Sequence, residues 1–313
     1  MKRFGDKAHS YLTYKEEIYM SFIDIHHHVI GKNNPNAALL PPWDMQIDEE
    51  AMNRMGITGA LLSLPVSASP EITRQMNNFM AQFVSYNPKK YGMLACLPTE
   101  FVDDALKEID YAYGTLKVDG FSIPSNTKGI YIGDDCMDEI LAELNRRSAV
   151  VLLHPTKPAG ANESLFVKDM SIYEFPFDTT RAMMDLIYRG KIQKYPNIKW
   201  IVSHAGGTIP YIAYRLSTVA QENKASSLSS DEVLASLKSL YYDLALSTSP
   251  SIFSTLKELV GASHILFGTD FPLRYEKGVT ESIKQFNNYS GFNEGEKHKI
   301  MSETAKELFP RFR

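Results

Sequence analysis

Cysteine is scarce in this sequence, with only Cys96 and Cys136 among 313 residues. Two thiols cannot form a disulfide framework. The first residues also lack the apolar core of a secretion signal. These two absences predict a protein of the reducing cytoplasm.

Long apolar runs and an excess of positive charge are missing as well. No segment approaches the roughly 20 apolar residues that a membrane-spanning helix needs. The net charge is −4, and lysine and arginine do not cluster in any segment. We therefore expect neither a membrane protein nor a nucleic-acid-binding protein.

The sequence does contain eight short runs rich in apolar and β-branched residues, separated by stretches with helical periodicity. Most of these runs lack strict alternation, which is typical of strands buried on both faces. They are residues 22–28, 57–65, 91–98, 118–125, 149–155, 199–204, 240–247 and 264–272. Eight buried strands alternating with helices predict an α/β fold, a single (β/α)8 TIM barrel with the helices outside. A doubly wound open sheet is the alternative.

No linker-like or low-complexity stretch divides the chain into separate domains. We predict one barrel over residues 22–313 and an N-terminal extension, residues 1–21, whose role the sequence does not reveal. Among the intervening helices, one is predicted to start at an Asp178 cap and to run to about residue 195, just before Pro196.

Three histidines end the first predicted strand, in the segment Asp24-Ile25-His26-His27-His28. Strand residues two apart point to the same side, so His26 and His28 should face the barrel mouth together while His27 faces away. Two neighbouring imidazoles are a natural half of a divalent metal site.

Further ligand types stand at the ends of later strands. His154 closes the fifth predicted strand, His204 the sixth and Asp270 the eighth. In a (β/α)8 barrel every strand's carboxyl end opens onto one face, where active sites form. The sequence therefore predicts that these groups meet His26 and His28 at one mouth.

The strand-end motifs resemble those of the amidohydrolase superfamily. They are Asp-x-His-x-His on strand one, His-Pro on strand five, Ser-His-Ala-Gly-Gly on strand six and Gly-Thr-Asp-Phe-Pro on strand eight. Within that superfamily the chain is similar to the aminocarboxymuconate-semialdehyde decarboxylase-like branch, amidohydrolase 2. Segments such as LKVDGFSIPSN and EFPFDTTRAMMDLI look similar to 6-methylsalicylate decarboxylases.

The resemblance implies roles for the strand-end residues. One divalent metal would be held by His26, His28, His154 and Asp270, and His204 together with Asp270 would be catalytic. Branches with two metals place a carboxylated lysine at the end of strand four, where this chain has Ile-Pro-Ser-Asn, which favours one ion. Three imidazoles and a carboxylate suit zinc best, with manganese or iron as alternatives.

Two reactions fit such a metal centre, and the ligand set does not separate them. In one, a metal-activated water hydrolyses a lactone, cyclic ester or amide. In the other, an acid protonates the ring carbon of a salicylate-like aromatic hydroxy acid, and CO2 leaves. Aromatic residues of the predicted mouth, including Trp43 and Phe175, favour a planar aromatic acid. We expect the decarboxylase and keep the hydrolase as the alternative.

Three arginines are candidates for binding the substrate carboxylate. Arg215 lies eleven residues after His204 and resembles the family arginine that reaches the substrate of a neighbouring subunit. That resemblance implies a homodimer or larger homo-oligomer, whereas a surface or helix-pairing role is the alternative for Arg215. Arg181 and Arg274 are the other two candidates.

Overall fold

The computed structural model describes residues 21–30, 42–158, 160–161 and 169–313. The predicted N-terminal extension lies outside the described residues except for its last residue, Ser21. The division of the chain into an extension and a barrel therefore stays a prediction.

Eight parallel strands form the central sheet, in the order β1-β2-β3-β4-β7-β8-β9-β10, and β5 and β6 form a separate antiparallel hairpin after β4. The strands are β1 Phe22–His28, β2 Ile57–Ser63, β3 Tyr91–Ala95, β4 Gly120–Pro124, β5 Asn126–Thr127, β6 Ile130–Tyr131, β7 Val150–His154, β8 Lys199–Val202, β9 Tyr241–Asp243 and β10 Ile265–Leu266.

Hydrogen bonds between β1 and the segment after β10 close this sheet into a barrel. The N–H of Ile25 donates to the Phe267 carbonyl at 3.1 Å, and the N–H of His28 donates to the Phe271 carbonyl at 2.7 Å. The predicted (β/α)8 barrel is therefore confirmed, and the open sheet is excluded.

Helices connect the strands. They are α1 Met45–Met55, α2 Pro70–Tyr86, α3 Val102–Tyr111, α4 Asp138–Arg146, α5 Glu174–Tyr188, α6 Lys191–Lys194, α7 Ser203–Gly206, α8 Ile209–Glu222, α9 Ser230–Ser239, α10 Pro250–Val260, α11 Glu276–Asn288, α12 Glu294–His298 and α13 Thr304–Leu308. A π-helical turn, Ala112–Leu116, extends α3, and another, Lys299–Glu303, joins α12 to α13. Within the described ranges, no helix is both long and apolar enough to cross a membrane.

The helix predicted to start at Asp178 in fact begins at Glu174, so the predicted cap is wrong. Pro176 lies in the first turn of α5, where backbone N–H groups have no partner within the helix and proline is tolerated. Asp178 is instead fully buried, and it accepts hydrogen bonds from Ser125 and Tyr131. The helix also ends earlier than predicted, at Tyr188.

Apolar side chains fill two regions, one inside the barrel and one between the strands and the helices. The inner cluster includes Ile25, Leu61, Leu94, Leu152 and Ile201, which are fully buried. These layers fix the strands, so side chains at the carboxyl ends of the strands are presented from a rigid frame.

Candidate metal centre

β1 is irregular just before the two histidines that face the mouth, His26 and His28. In the pairing with β2, Asp24 lies opposite Ala60 and His27 opposite Leu62, so β1 carries one extra residue. Such a bulge changes which side chains face which way. Ile25 belongs to the inner core, while the Nε2 atoms of His26 and His28 lie 3.1 Å apart. The prediction that these two histidines face together is confirmed.

The structure brings all five predicted strand-end groups together. The ring centroids of neighbouring imidazoles among His26, His28, His154 and His204 lie 4.9–5.4 Å apart. Asp270 sits among them, with Oδ1 at 2.9 Å from His28 Nε2, 3.3 Å from His26 Nε2 and 4.0 Å from His154 Nε2.

Three of these rings are held through their other nitrogen. His26 Nδ1 contacts Asp243 Oδ2 at 2.7 Å, His28 Nδ1 contacts Ser63 Oγ at 3.0 Å, and His154 Nδ1 contacts the Pro155 carbonyl at 2.7 Å. Hydrogen bonds of this kind fix the tautomer and orientation of metal-binding histidines. Each ring is thereby left with Nε2 directed toward Asp270.

Burial and charge set the protonation of the group. Burial alone would lower the pKa of His26, but Asp243 and Asp270 outweigh it and raise that pKa to about 10. Burial lowers the pKa of His154 and of His204 to about 3, with the nearby His26 contributing. Burial would raise the pKa of Asp270, but hydrogen bonds from His154, His26 and His28 hold it well below its usual value.

The donor set fits a single divalent metal ion. Ligand atoms of His26, His154, His204 and Asp270 all lie within 4.8 Å of one another, a set that contains the predicted catalytic residue His204 and lacks the predicted ligand His28. His28 Nε2 nevertheless lies 3.1 Å from His26 Nε2 and 2.9 Å from Asp270 Oδ1. His154 Nε2 and both ring nitrogens of His204 are buried without a hydrogen-bond partner among the described residues. Unpaired buried polar atoms are costly, and imidazole with carboxylate is a favourable ligand set for a divalent cation.

His204 lies in a left-handed turn directly after β8. His204 and Ala205 both have φ of 55°, which costs about 1–3 kcal/mol for a residue other than glycine. The two glycines that follow are required by space: a Cβ on Gly206 would lie 2.6 Å from the Tyr242 ring, and one on Gly207 would lie 2.0 Å from the Pro176 carbonyl oxygen. The motif Ser-His-Ala-Gly-Gly thus encodes this turn.

Two buried carboxylates behind the site were given no role in the sequence analysis. Asp24 accepts the backbone N–H of Thr269 at 3.0 Å and also binds the Thr269 hydroxyl, next to Asp270, whose own φ is 65°. Asp243 binds His26 and the backbone N–H of His204. A signal for Asp243 was available, because it ends the buried strand β9 just as His154 ends β7.

The predicted carboxylate-binding arginines have different surroundings. Arg181 donates to Asp178 at 2.8 Å, so part of its guanidinium is already engaged. Arg274 is exposed and folds back over the first turn of α11, where a Cβ on Gly278 would lie 2.2 Å from its Nε. Arg215 is exposed on α8. The contact of each arginine with the substrate carboxylate therefore stays a prediction.

The two aromatic residues predicted to contact the substrate, Trp43 and Phe175, also have different surroundings. The indole N–H of Trp43 donates to Asp48 at 2.9 Å, and Asp48 in turn binds His27, the histidine that faces away from the metal cluster. Phe175 precedes Pro176, whose carbonyl abuts Gly207, so it lies beside the turn that carries His204. The contacts of both with substrate stay predictions.

Comparison with known proteins decides the family. The family model described as Amidohydrolase matches residues 23–311. The chain belongs to the amidohydrolase family. Its amidohydrolase relatives are enzymes, and so is this protein.

Two curated relatives agree with the predicted branch. The 6-methylsalicylic acid decarboxylase of Penicillium expansum is 33% identical, over 94% of this chain and 98% of that protein. The 2-amino-3-carboxymuconate-6-semialdehyde decarboxylase of Dictyostelium discoideum is 25% identical, over 78% of this chain and 72% of that protein.

Two solved structures share the fold. A crystal structure described as an amidohydrolase II superimposes with a TM-score of 0.84 at 25% identity, over 92% of this chain and 99% of the other. The dihydroxybenzoic acid decarboxylase of Polaromonas sp. JS666, solved with manganese and 2-nitroresorcinol, has a TM-score of 0.79 at 19% identity, over 94% and 97% of the two chains.

Proposed function

We propose that this protein is a metal-dependent, non-oxidative decarboxylase of a small, salicylate-like aromatic hydroxy acid. The observation that carries the proposal is the buried cluster of four imidazoles and one carboxylate at the barrel mouth. That cluster occurs in a chain one third identical, along nearly its whole length, to a 6-methylsalicylic acid decarboxylase.

We assign the metal to His26, His28, His154 and Asp270. A bound divalent cation would supply positive charge that polarises oxygens of the substrate. Three imidazoles with one carboxylate favour zinc, whereas the Polaromonas structure contains manganese. Elemental analysis of the purified protein distinguishes these metals.

His204 and Asp270 are the groups that we propose act on the substrate. Both nitrogens of the neutral His204 ring are free of partners within the described residues, so the ring can hydrogen-bond a substrate oxygen. Because Asp270 is ionised and the His204 ring is neutral, one of them first takes up a proton from the substrate hydroxyl group or from solvent and then delivers it to the ring carbon that bears the carboxylate. The C–C bond then breaks, its electron pair restores the aromatic ring, and CO2 leaves.

A homodimer is the second part of the proposal. Arg215 lies on α8 near Tyr211 and Tyr214, whose side chains are 88% and 81% exposed. Tyrosine and arginine are enriched at protein interfaces, and two such exposed aromatics on one helix support a contact with another copy. Light scattering should give a dimer mass for the wild type and a lower mass for Tyr211→Asp/Tyr214→Asp.

The hydrolase alternative is disfavoured, since the curated relatives reported above are decarboxylases. The carboxylate of the substrate is proposed to be contacted by the arginines named above, and its ring by Trp43 and Phe175. Both cysteines are free, which supports the proposed cytoplasmic location.

A product assay tests the reaction. Metal-loaded protein is incubated with 6-methylsalicylate or 2,6-dihydroxybenzoate, and the expected products are CO2 with 3-methylphenol or resorcinol. Lactones and cyclic amides are supplied in parallel. Turnover of a lactone without CO2 release from any hydroxybenzoate would establish the hydrolase instead.

Substitutions test the division of roles. His154→Ala and Asp270→Ala should abolish activity and lower the metal content, because each removes a proposed ligand. His204→Ala should abolish activity while most of the metal stays bound. Loss of the metal from His204→Ala would make His204 a ligand instead.

A further inference from the structure

Asp243 is a fully buried carboxylate behind the metal cluster, at the carboxyl end of β9. Its Oδ2 contacts His26 Nδ1 at 2.7 Å, and its Oδ1 accepts the backbone N–H groups of His204 at 2.8 Å and Ala245 at 3.0 Å. We propose that Asp243 is a positioning residue that couples the metal-binding imidazole of His26 to the turn that carries His204. This inference rests on the proposed function.

The contact between Asp243 and His26 reaches across an intervening strand of the barrel. β1 and β9 are not neighbours, because β10 lies between them in the barrel. The two side chains meet over Gly268, where a Cβ would lie 2.9 Å from His26 Cβ and 3.3 Å from Asp243 Cβ. Both of those carbons are attached directly to backbone, so neither can rotate away. The absent side chain at residue 268 is what permits the contact.

The contact decides which nitrogen of His26 can bind a metal. With Nδ1–H donated to the carboxylate, Nε2 is the nitrogen that would release its proton and bind the cation. Nε2 is the atom that lies 3.3 Å from Asp270 Oδ1.

The second link holds a strained backbone. His204 and Ala205 are left-handed although neither is glycine, and such conformations persist only where the surroundings impose them. The bond from His204 N–H to Asp243 Oδ1 provides that restraint at the first of the two residues.

Among side chains of this size, only a carboxylate can accept hydrogen bonds both from His26 and from the turn that carries His204. All three partners of Asp243 donate a hydrogen, so an asparagine would turn its own NH2 group toward a donor on one side or the other. If the amide nitrogen faced His26, the ring would shift its proton to Nε2 and could no longer ligate. If it faced the turn, the restraint on His204 would be lost.

The test compares Asp243→Asn with a control at the opposite end of the barrel. Asp119 precedes β4, is mostly buried, and binds Arg311 at 2.9 Å and the Met93 N–H at 3.0 Å. Asp119→Asn therefore also removes a buried charge but does not touch the metal cluster.

Zinc affinity is measured without substrate, by competition with a chelator on the metal-free proteins. We expect about 10–100-fold weaker binding in Asp243→Asn, as for other partners of ligand histidines, and no such loss in Asp119→Asn. In zinc-loaded, 15N-histidine-labelled protein, the His26 Nδ1–H signal should lose the downfield shift that a carboxylate partner causes. At saturating zinc, kcat should still fall in Asp243→Asn because His204 is misplaced.

Gly268→Ala provides a second variant in which the carboxylate is intact, and it should weaken zinc binding through steric displacement of His26. Wild-type zinc affinity in both Asp243→Asn and Gly268→Ala would overturn the inference while leaving the proposed function standing. An equal loss of affinity in Asp119→Asn would also overturn it, because general destabilisation would then be the cause. A wild-type protein that binds no metal would refute the proposed function itself.

Discussion

His27 is buried between two carboxylates, on the side of β1 that faces away from the metal cluster. Its Nδ1 lies 2.9 Å from Asp24 Oδ2, and its Nε2 lies 2.8 Å from Asp48 Oδ1. All three side chains are at most 1% exposed. Burial lowers the pKa of the ring, but Asp48 and Asp24 outweigh this effect and raise it to about 10. We therefore expect His27→Leu to lower the free energy of unfolding.

The magnitude follows from the contacts. The variant loses two hydrogen bonds between charged groups, each contributing about 1.5–3 kcal/mol, and leaves two buried carboxylates without their cation. Some compensation remains, because Asp48 still accepts from Trp43 at 2.9 Å and from Tyr91 at 2.8 Å. Removing one partner of a buried ion pair costs about 3–5 kcal/mol. We therefore expect the free energy of unfolding to fall by about 3–5 kcal/mol.

Urea-induced unfolding, followed by circular dichroism at matched metal content, measures this loss. In the double variant His27→Leu/Asp48→Asn one of the unpaired charges is neutralised, so it should lose less than the sum of the two single variants. Lys107→Leu is the control, because it removes only an exposed ion pair with Asp104 and should leave the midpoint nearly unchanged. A loss below about 1 kcal/mol in His27→Leu, or strict additivity in the double variant, would refute the reasoning.

Three further predictions concern other parts of the protein. Gly207→Ala should lower the free energy of unfolding by at least about 1–3 kcal/mol and reduce kcat, because the new Cβ would lie 2.0 Å from the Pro176 carbonyl oxygen. An unchanged urea midpoint would contradict this prediction. Asp178→Asn should cost about 1–3 kcal/mol, since its buried carboxylate accepts several hydrogen bonds; wild-type stability would contradict it. Iodoacetamide should modify native protein only at the exposed Cys136, because burial raises the pKa of Cys96 to about 12; a peptide map showing modified Cys96 would contradict this.

The barrel was predictable because parallel strands buried on both faces leave continuous apolar runs. The ends of the strands were less predictable. Residues 240–247 were predicted as a strand, but β9 covers only Tyr241–Asp243. Leu244 and Ala245 are also fully buried, since the chain beyond the strand still packs inside the protein. A run of apolar residues indicates which part of the chain is buried, but it does not indicate where the hydrogen bonding between strands ends.

No individual helix was predicted between the first two strands, where the structure has α1, for a related reason. The segment of α1, Met45–Met55, places Ala51, Met52 and Met55 on its buried face, but Asp48 is buried among them. A charged residue on that face breaks the apolar stripe from which helices are recognised. Its partner His27 comes from β1, so only the assembled fold explains the charge.

The sequence by itself determined which residue types stand at the carboxyl ends of the barrel strands, because two local periodicities and the parallel topology suffice to bring those ends to one mouth. Only the tertiary structure decided how the metal-binding rings are held. Asp243 and His26 are 217 residues apart, belong to strands that are not neighbours, and touch because Gly268 leaves a gap between them. A contact of that kind depends on the curvature of the barrel and on one absent side chain, and neither leaves a local pattern in the sequence.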